Sequence, residues 1–195
     1  MDGEDYTIAK AYDDRGLEIT TEQKGKNIAT RPWQYTYGAD GRLLTMEDPS
    51  GGIRRYGYDE TGNTTNYQIG AEQREQTFNY MGQLTRLTKT EHIQNRENTY
   101  YDYTNQGWLL EKKKTDRNGA VQEKVNYGYN QIGSVETVNP QDGQQRTYTR
   151  DALERTTQVS TADGKSFTYE YYGDGAVKAI IYPGGSIRTD YTYDN

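Results

Sequence analysis

The chain has 195 residues and a formal net charge of −6, and Leu, Ile, Val and Phe together supply only 26 of those residues. So little aliphatic material rules out an ordinary oil-filled core, no run approaches the roughly 18 apolar residues of a membrane span, and the acidic balance argues against a nucleic-acid partner. The absence of Cys excludes a disulfide framework, thiol catalysis and Cys-ligated zinc. Tyr, in contrast, occurs 20 times. Its ring is apolar and its hydroxyl requires a partner or water, so any core here is expected to be built from Tyr.

The predicted elements follow from aligning the chain on a recurring glycine. Gly16 is the first anchor, with Tyr12 four residues earlier. Gly41 follows Tyr35 and Tyr37, Gly62 follows Tyr56 and Tyr58, and Gly82 follows Phe78. Gly107 follows Tyr101 and Tyr103, and Gly133 follows Tyr127 and Tyr129. Then Tyr148 and Arg150 precede Glu154, which stands where the glycine is due, and Tyr169 and Tyr171 precede Gly175. The steps between anchors are 25, 21, 20, 25, 26, 21 and 21 residues. The sequence stops at Tyr191 and Tyr193, before another anchor, and reads as one array over residues 1–195 whose last repeat is truncated. The opening segment, acidic and without an apolar stretch, does not read as a signal peptide.

The pattern has a physical reading. Tyr-x-Tyr has the period of two that projects both rings from one face of a strand. Asp-x-x-Gly or Asn-x-x-Gly is a turn, in which the side chain bonds nearby backbone and Gly takes the positive φ. A second turn closes most repeats, as at Asp48–Gly52, Asp116–Gly119, Pro140–Gly143, Ala162–Gly164 and Pro183–Gly185. The expected fold class is therefore all-β: tandem antiparallel β-hairpin repeats forming one curved, spiralling sheet of about sixteen strands. Aliphatics two and five residues past the anchor, such as Leu43 with Met46 and Val135 with Val138, fit one strand face only if a bulge intervenes. The glycine-free stretch Thr88–Asn98 reads as a longer loop or a short helix. Tyr rings stacked from hairpin to hairpin are the expected cohesive element.

Candidate sites are few. His92 is the single histidine and would have to serve any Ser-His-Asp arrangement, but it sits in a polar stretch with no partner pattern around it. The Asp-rich turns lack the spacing of calcium loops. None of the 29 carboxylate residues is singled out as a catalytic pair. Lys112-Lys113-Lys114 reads as a solvated face or a device against edge pairing. Gly173-Asp174-Gly175 lacks the third Gly and the helix of a dinucleotide loop. The sequence thus predicts no catalytic residue, no cofactor and no metal.

Tyr56-Gly57-Tyr58-Asp59-Glu60-Thr61-Gly62 resembles the YD repeat, also called the RHS repeat, in full, and Tyr127-Gly128-Tyr129-Asn130-Gln131-Ile132-Gly133 does so with Asn for Asp. Arg150-Asp151-Ala152-Leu153-Glu154-Arg155 keeps the Asp-Ala-Leu-x-Arg form without the ring and the Gly. The resemblance implies a wall segment of a hollow β-shell, of the kind that encloses a C-terminal toxin in bacterial Rhs and wall-associated polymorphic toxins and in insecticidal toxin complexes, and that serves adhesion in teneurins. It implies a secreted or cell-surface parent protein and a structural, non-enzymatic role. The implied partners are neighbouring repeats of the parent chain and a toxin cargo. Edge-to-edge pairing with a second copy and carbohydrate stacked on exposed Tyr rings stay open, the latter as a binding-module alternative to the scaffold.

Overall fold

The computed structural model describes residues 7–24, 31–91 and 95–194, and His92 lies outside them. Among the described residues there are seventeen strands and no helix. The chain divides into two units. The first spans Met1–Asn98 together with Asp116–Asn118, and the second spans Thr99–Thr115 and Gly119–Asn195.

The first unit holds β1 (Thr7–Tyr12), β2 (Glu18–Lys24), β3 (Trp33–Tyr37), β4 (Leu43–Glu47), β5 (Ile53–Tyr58), β6 (Thr64–Ile69), β7 (Glu72–Phe78), β8 (Leu84–Glu91) and the opening residues of β9 (Asn95–Tyr103). From β1 to β8 each strand pairs antiparallel with the next. The second unit holds the rest of β9 and β10 (Leu109–Thr115), β11 (Val121–Tyr129), β12 (Val135–Pro140), β13 (Arg146–Arg150), β14 (Thr156–Thr161), β15 (Ser166–Tyr171), β16 (Val177–Ile181) and β17 (Arg188–Asp190). It too is a meander, with β9 beside β10 and each later strand paired antiparallel with the next through β17. The fold is all-β tandem hairpins.

The stretch Thr88–Asn98 departs from the expected loop or helix: Thr88–Glu91 finishes β8 and Asn95–Asn98 begins β9. Its Thr and Asn residues pair across the hairpin, the Thr88 hydroxyl donating to Asn98 Oδ1 over 2.9 Å. The β6–β7 connection at Gly70, with φ 54°, is a turn without Asn-Gly or Asp-Gly. Lys112-Lys113-Lys114 sits on β10, an interior strand with neighbours on both sides, so it guards no edge. Lys112 instead pairs with Glu123 across the ladder at 3.0 Å.

A bulge recurs in register. The pairing shifts between Ala11 and Tyr12, Thr36 and Tyr37, Gly57 and Tyr58, Thr77 and Phe78, Gly128 and Tyr129, Thr149 and Arg150, and Glu170 and Tyr171. In β3–β4, Tyr37 opposes Leu43 while Thr36 opposes Thr45, so Leu44 is skipped and turns outward, 40% exposed. One extra residue on the second strand converts an offset of three into the same face. That is why aliphatics two and five past the anchor both point to the half-buried side.

Among the described residues only Ala179, Thr88 and Thr115 are buried. Most repeat rings are half-buried, while Tyr12 is 55% exposed. Cohesion therefore rests on ladder hydrogen bonds and cross-strand side-chain pairs rather than on an aliphatic interior.

Candidate functional site

The site that repeats along the chain is a clasp between successive hairpins. Its first part is the anchor turn. Asp13 N–H donates to the Leu17 carbonyl at 2.8 Å and Gly16 N–H to the Asp13 carbonyl at 2.9 Å, closing a three-residue hairpin loop of the bulged type. The Asp13 carboxylate accepts from the Arg15 and Leu17 N–H groups at 3.0 and 2.9 Å. The same bonds recur at Asn79, Asn130 and Asp151, and Thr104 replaces them with one hydroxyl bond to Trp108 N–H. The carboxylates of Asp13 and Asp151 are thus engaged by backbone donors of their own turns. Asp59 is held down to about 2 by the Asn63 side chain first, then by the Thr61 hydroxyl and backbone N–H groups. Asp13 is lowered mainly by the Leu17 N–H.

Gly16, Gly41, Gly62, Gly82, Gly107, Gly133 and Gly175 close these turns with φ between 76° and 96°. Glu154 occupies the slot with φ 61°, the sole non-glycine with positive φ among the described residues. At Gly133 space matters as well, since a Cβ would lie 2.8 Å from the Trp108 ring.

The second part of the clasp is the aromatic residue four before the anchor. Tyr37 donates its hydroxyl to the Glu18 carbonyl at 2.8 Å, Tyr58 to Leu43 at 2.9 Å, Tyr129 to Leu109 at 2.7 Å and Tyr171 to Thr156 at 2.6 Å. Tyr193 donates to Val177 at 3.0 Å. Each acceptor stands two residues past the preceding anchor. Arg150, the exception to the aromatic pattern, reaches the equivalent Val135 carbonyl with Nη2 at 3.2 Å. In these six repeats the carbonyl is met by a long side chain ending in a donor, which Tyr and Arg share, whereas Phe78 holds the same position with a ring alone.

The third part, seen in three repeats, is a residue just after the anchor that covers the next repeat's ring. Arg42 lies 5.7 Å from the Tyr58 centroid, Trp108 5.4 Å from Tyr129 and Arg155 4.7 Å from Tyr171. Arg42 also donates to the Asp59 carbonyl and Arg155 to that of Tyr172. At these three rings the stacking expected between equivalent tyrosines gives way to an Arg or Trp cover, while Tyr172 and Tyr193 do meet from one repeat to the next, their centroids 6.2 Å apart. Two strands separate equivalent rings, about 9–10 Å at 4.7–4.9 Å per strand, beyond the ~4.5–7 Å over which rings interact. Tyr35, Tyr56, Tyr101, Tyr127 and Tyr169 lie on the same strand two residues before Tyr37, Tyr58, Tyr103, Tyr129 and Tyr171, and Tyr148 lies two before Arg150. Tyr56 packs on Tyr67 across β5–β6 at 5.4 Å. Burial raises the phenols of Tyr37, Tyr56, Tyr103 and Tyr129 above the usual range.

The fold defines the class as a tandem array of antiparallel hairpins, and its Tyr-x-Tyr-Asp-x-x-Gly turns resemble the YD repeat. Neither a protein-family model nor a curated protein matches the sequence. Solved structures match its fold. The crystal structure of TcdB2-TccC3-Cdc42 is similar at TM-score 0.71 and 18% identity, covering 95% of this chain and 12% of that one. The crystal structure of TcdB2-TccC3 without its hypervariable C-terminal region gives TM-score 0.70 at 19% identity, covering 95% of this chain and 12% of that one. The Photorhabdus luminescens Tc holotoxin pore, mutated in TccC3, gives 0.67 at 17%, covering 90% of this chain and 11% of that one.

Proposed function

We propose that residues 1–195 are a single YD-repeat array and serve as a wall segment of an encapsulating scaffold in a secreted, toxin-type protein. The observation that carries this reading is the clasp: a hydroxyl or guanidinium from one repeat on a fixed carbonyl of the previous one, as in Tyr129 on Leu109. A connection that uses only local geometry can be extended repeat by repeat, which is what a wall requires. The fold likeness to the TcdB2-TccC3 chains over 95% of this chain supports the same role. The partners are then flanking repeats of a longer chain and an enclosed polypeptide, the role is non-catalytic, and the tyrosines and anchor glycines are its structural residues.

The test is protease protection in the full-length protein that carries this segment. Changing Tyr37, Tyr58 and Tyr129 together to Ser should speed digestion of the enclosed portion by added protease at least tenfold. Digestion at the parent rate with the clasps removed would overturn the reading.

A further inference from the structure

Asn118-Gly119 is the only Asn-Gly pair in the sequence, and it lies in the connection between β10 and β11. Asn-Gly suits such a hairpin turn, with Gly119 at φ 84°. The same pair is chemically labile. The glycine nitrogen can attack the side-chain amide carbon of the asparagine before it, and glycine has no Cβ to obstruct the approach. How fast this happens in a folded chain depends on how firmly the turn holds the two groups.

The Asp-Gly turns of the array hold both. Asp40-Gly41, Asp142-Gly143, Asp163-Gly164 and Asp174-Gly175 share the Asx-Gly form. In each, the glycine N–H donates to the carbonyl three residues earlier: Gly41 to Gly38 and Gly143 to Pro140 at 3.1 Å, Gly164 to Thr161 and Gly175 to Tyr172 at 3.0 Å. In each, the Asp Oδ1 accepts the N–H two residues on, from Arg42 at 3.1 Å, Gln144 at 3.0 Å, Lys165 at 3.4 Å and Ala176 at 3.0 Å. Asn118-Gly119 has neither restraint. The Gly119 N–H makes no hydrogen bond to the described residues, and neither does the Asn118 side-chain amide. The bond that Asn118 does make runs from its backbone N–H to Asp116 Oδ1 at 2.8 Å and leaves the side chain free. Both residues are exposed, and the space on the Cβ side of Gly119 is empty to 4 Å.

We infer that Asn118 is a self-modification site, converted in the folded chain to aspartate and isoaspartate with water as the sole co-reactant. The Gly119 nitrogen gives its proton to solvent base and bonds to Asn118 Cγ. The bond from Cγ to the side-chain nitrogen breaks, that nitrogen leaves as ammonia, and a five-membered cyclic imide remains. Water then opens the imide at either of its two carbonyl carbons. One opening gives aspartate. The other gives isoaspartate, in which the main chain runs through the former side chain and the turn gains one methylene. Either product adds a negative charge to the tip of this hairpin. A bonded glycine N–H resists the first step, because its nitrogen must give up the hydrogen bond as well as the proton. The inference goes beyond the scaffold reading, since it rests on the backbone of one turn and holds whatever the array encloses.

Asp142→Asn supplies the control, because it places the same dipeptide in a turn whose glycine N–H is bonded. The 195-residue variant is incubated in heavy-oxygen water at mildly alkaline pH, once folded and once unfolded in urea. Peptide mapping by mass spectrometry then follows the exchange of NH for labelled oxygen at both positions, and each folded rate is divided by the unfolded rate of the same position. We expect Asn118 to react in the folded chain within tenfold of its unfolded rate, and the amide at position 142 to be slowed at least tenfold by folding. Asn118→Gln in the parent chain should abolish the labelled product of the β10–β11 turn. An Asn118 that stays unconverted in the folded chain, protection at Asn118 equal to or greater than that at position 142, or a product that survives Asn118→Gln would each overturn the proposal.

Discussion

The Tyr129 hydroxyl donates across 2.7 Å to the carbonyl of Leu109, twenty residues earlier, while the Trp108 ring next to that carbonyl covers the Tyr129 ring at 5.4 Å. One side chain thus joins two hairpins by a polar tip and an apolar body at once. Tyr129→Phe removes only the tip. It should cost about 1 kcal/mol, the net worth of a hydrogen bond, and Tyr129→Ser should cost clearly more because the ring contact also goes. Urea unfolding followed by circular dichroism measures both; equal loss in the two variants would show that the hydroxyl alone matters.

Anchor positions differ in what they tolerate. Gly133 combines φ 91° with a Cβ path ending 2.8 Å from Trp108, whereas nothing lies within 4 Å of the Cβ path at Gly16. Gly133→Ala should cost about 2–4 kcal/mol from backbone strain plus overpacking, and Gly16→Ala about 1–2 kcal/mol from strain alone. Glu154→Gly should run the other way, releasing roughly 1–2 kcal/mol of left-handed strain against about 1 kcal/mol for the lost Asn130 bond. Thermal melts of the three variants give the order.

Arg155 spreads one guanidinium over three tasks. It pairs with Asp151 at 2.7 Å, donates to the Tyr172 carbonyl at 3.1 Å and lies 4.7 Å from the Tyr171 ring centroid. An ammonium cannot hold that planar, forked geometry. Arg155→Lys should therefore lose about 1 kcal/mol despite keeping the charge, read as a shift of the urea midpoint at unchanged slope.

The turns predict acid sensitivity. Asp59 and Asp163 titrate at about 2 in the folded chain, below the usual carboxylate range, and Asp13, Asp48 and Asp151 are lowered as well. A depressed folded value contributes stability that is present above the unfolded value, near 4, and is lost as pH falls through the folded value. Melting temperature should decline between about pH 4 and pH 2. Asn79 and Asn130 build the same turn with a neutral amide, so Asp59→Asn should flatten the decline. Melts across that range in the parent and the variant decide it; parallel profiles would remove Asp59 as a contributor.

The sequence by itself determined the repeat and the turns. Period-two tyrosines and Asx-x-x-Gly depend on backbone geometry within a few residues, so their hairpins were legible without knowledge of neighbours. The bulge was legible only as a mismatch between Leu43 and Met46. The tertiary structure alone decided what the Tyr58 and Tyr129 hydroxyls hold, that Arg42 and Trp108 cover their rings, and that Arg150 fills the same role without an aromatic ring. These contacts join residues 15 to 21 positions apart, and which ones meet depends on how one hairpin lies against the next. Glu154 shows the same division. Its place in the repeat could be counted along the chain, but its positive φ arises from the ladder that forces the turn to close there.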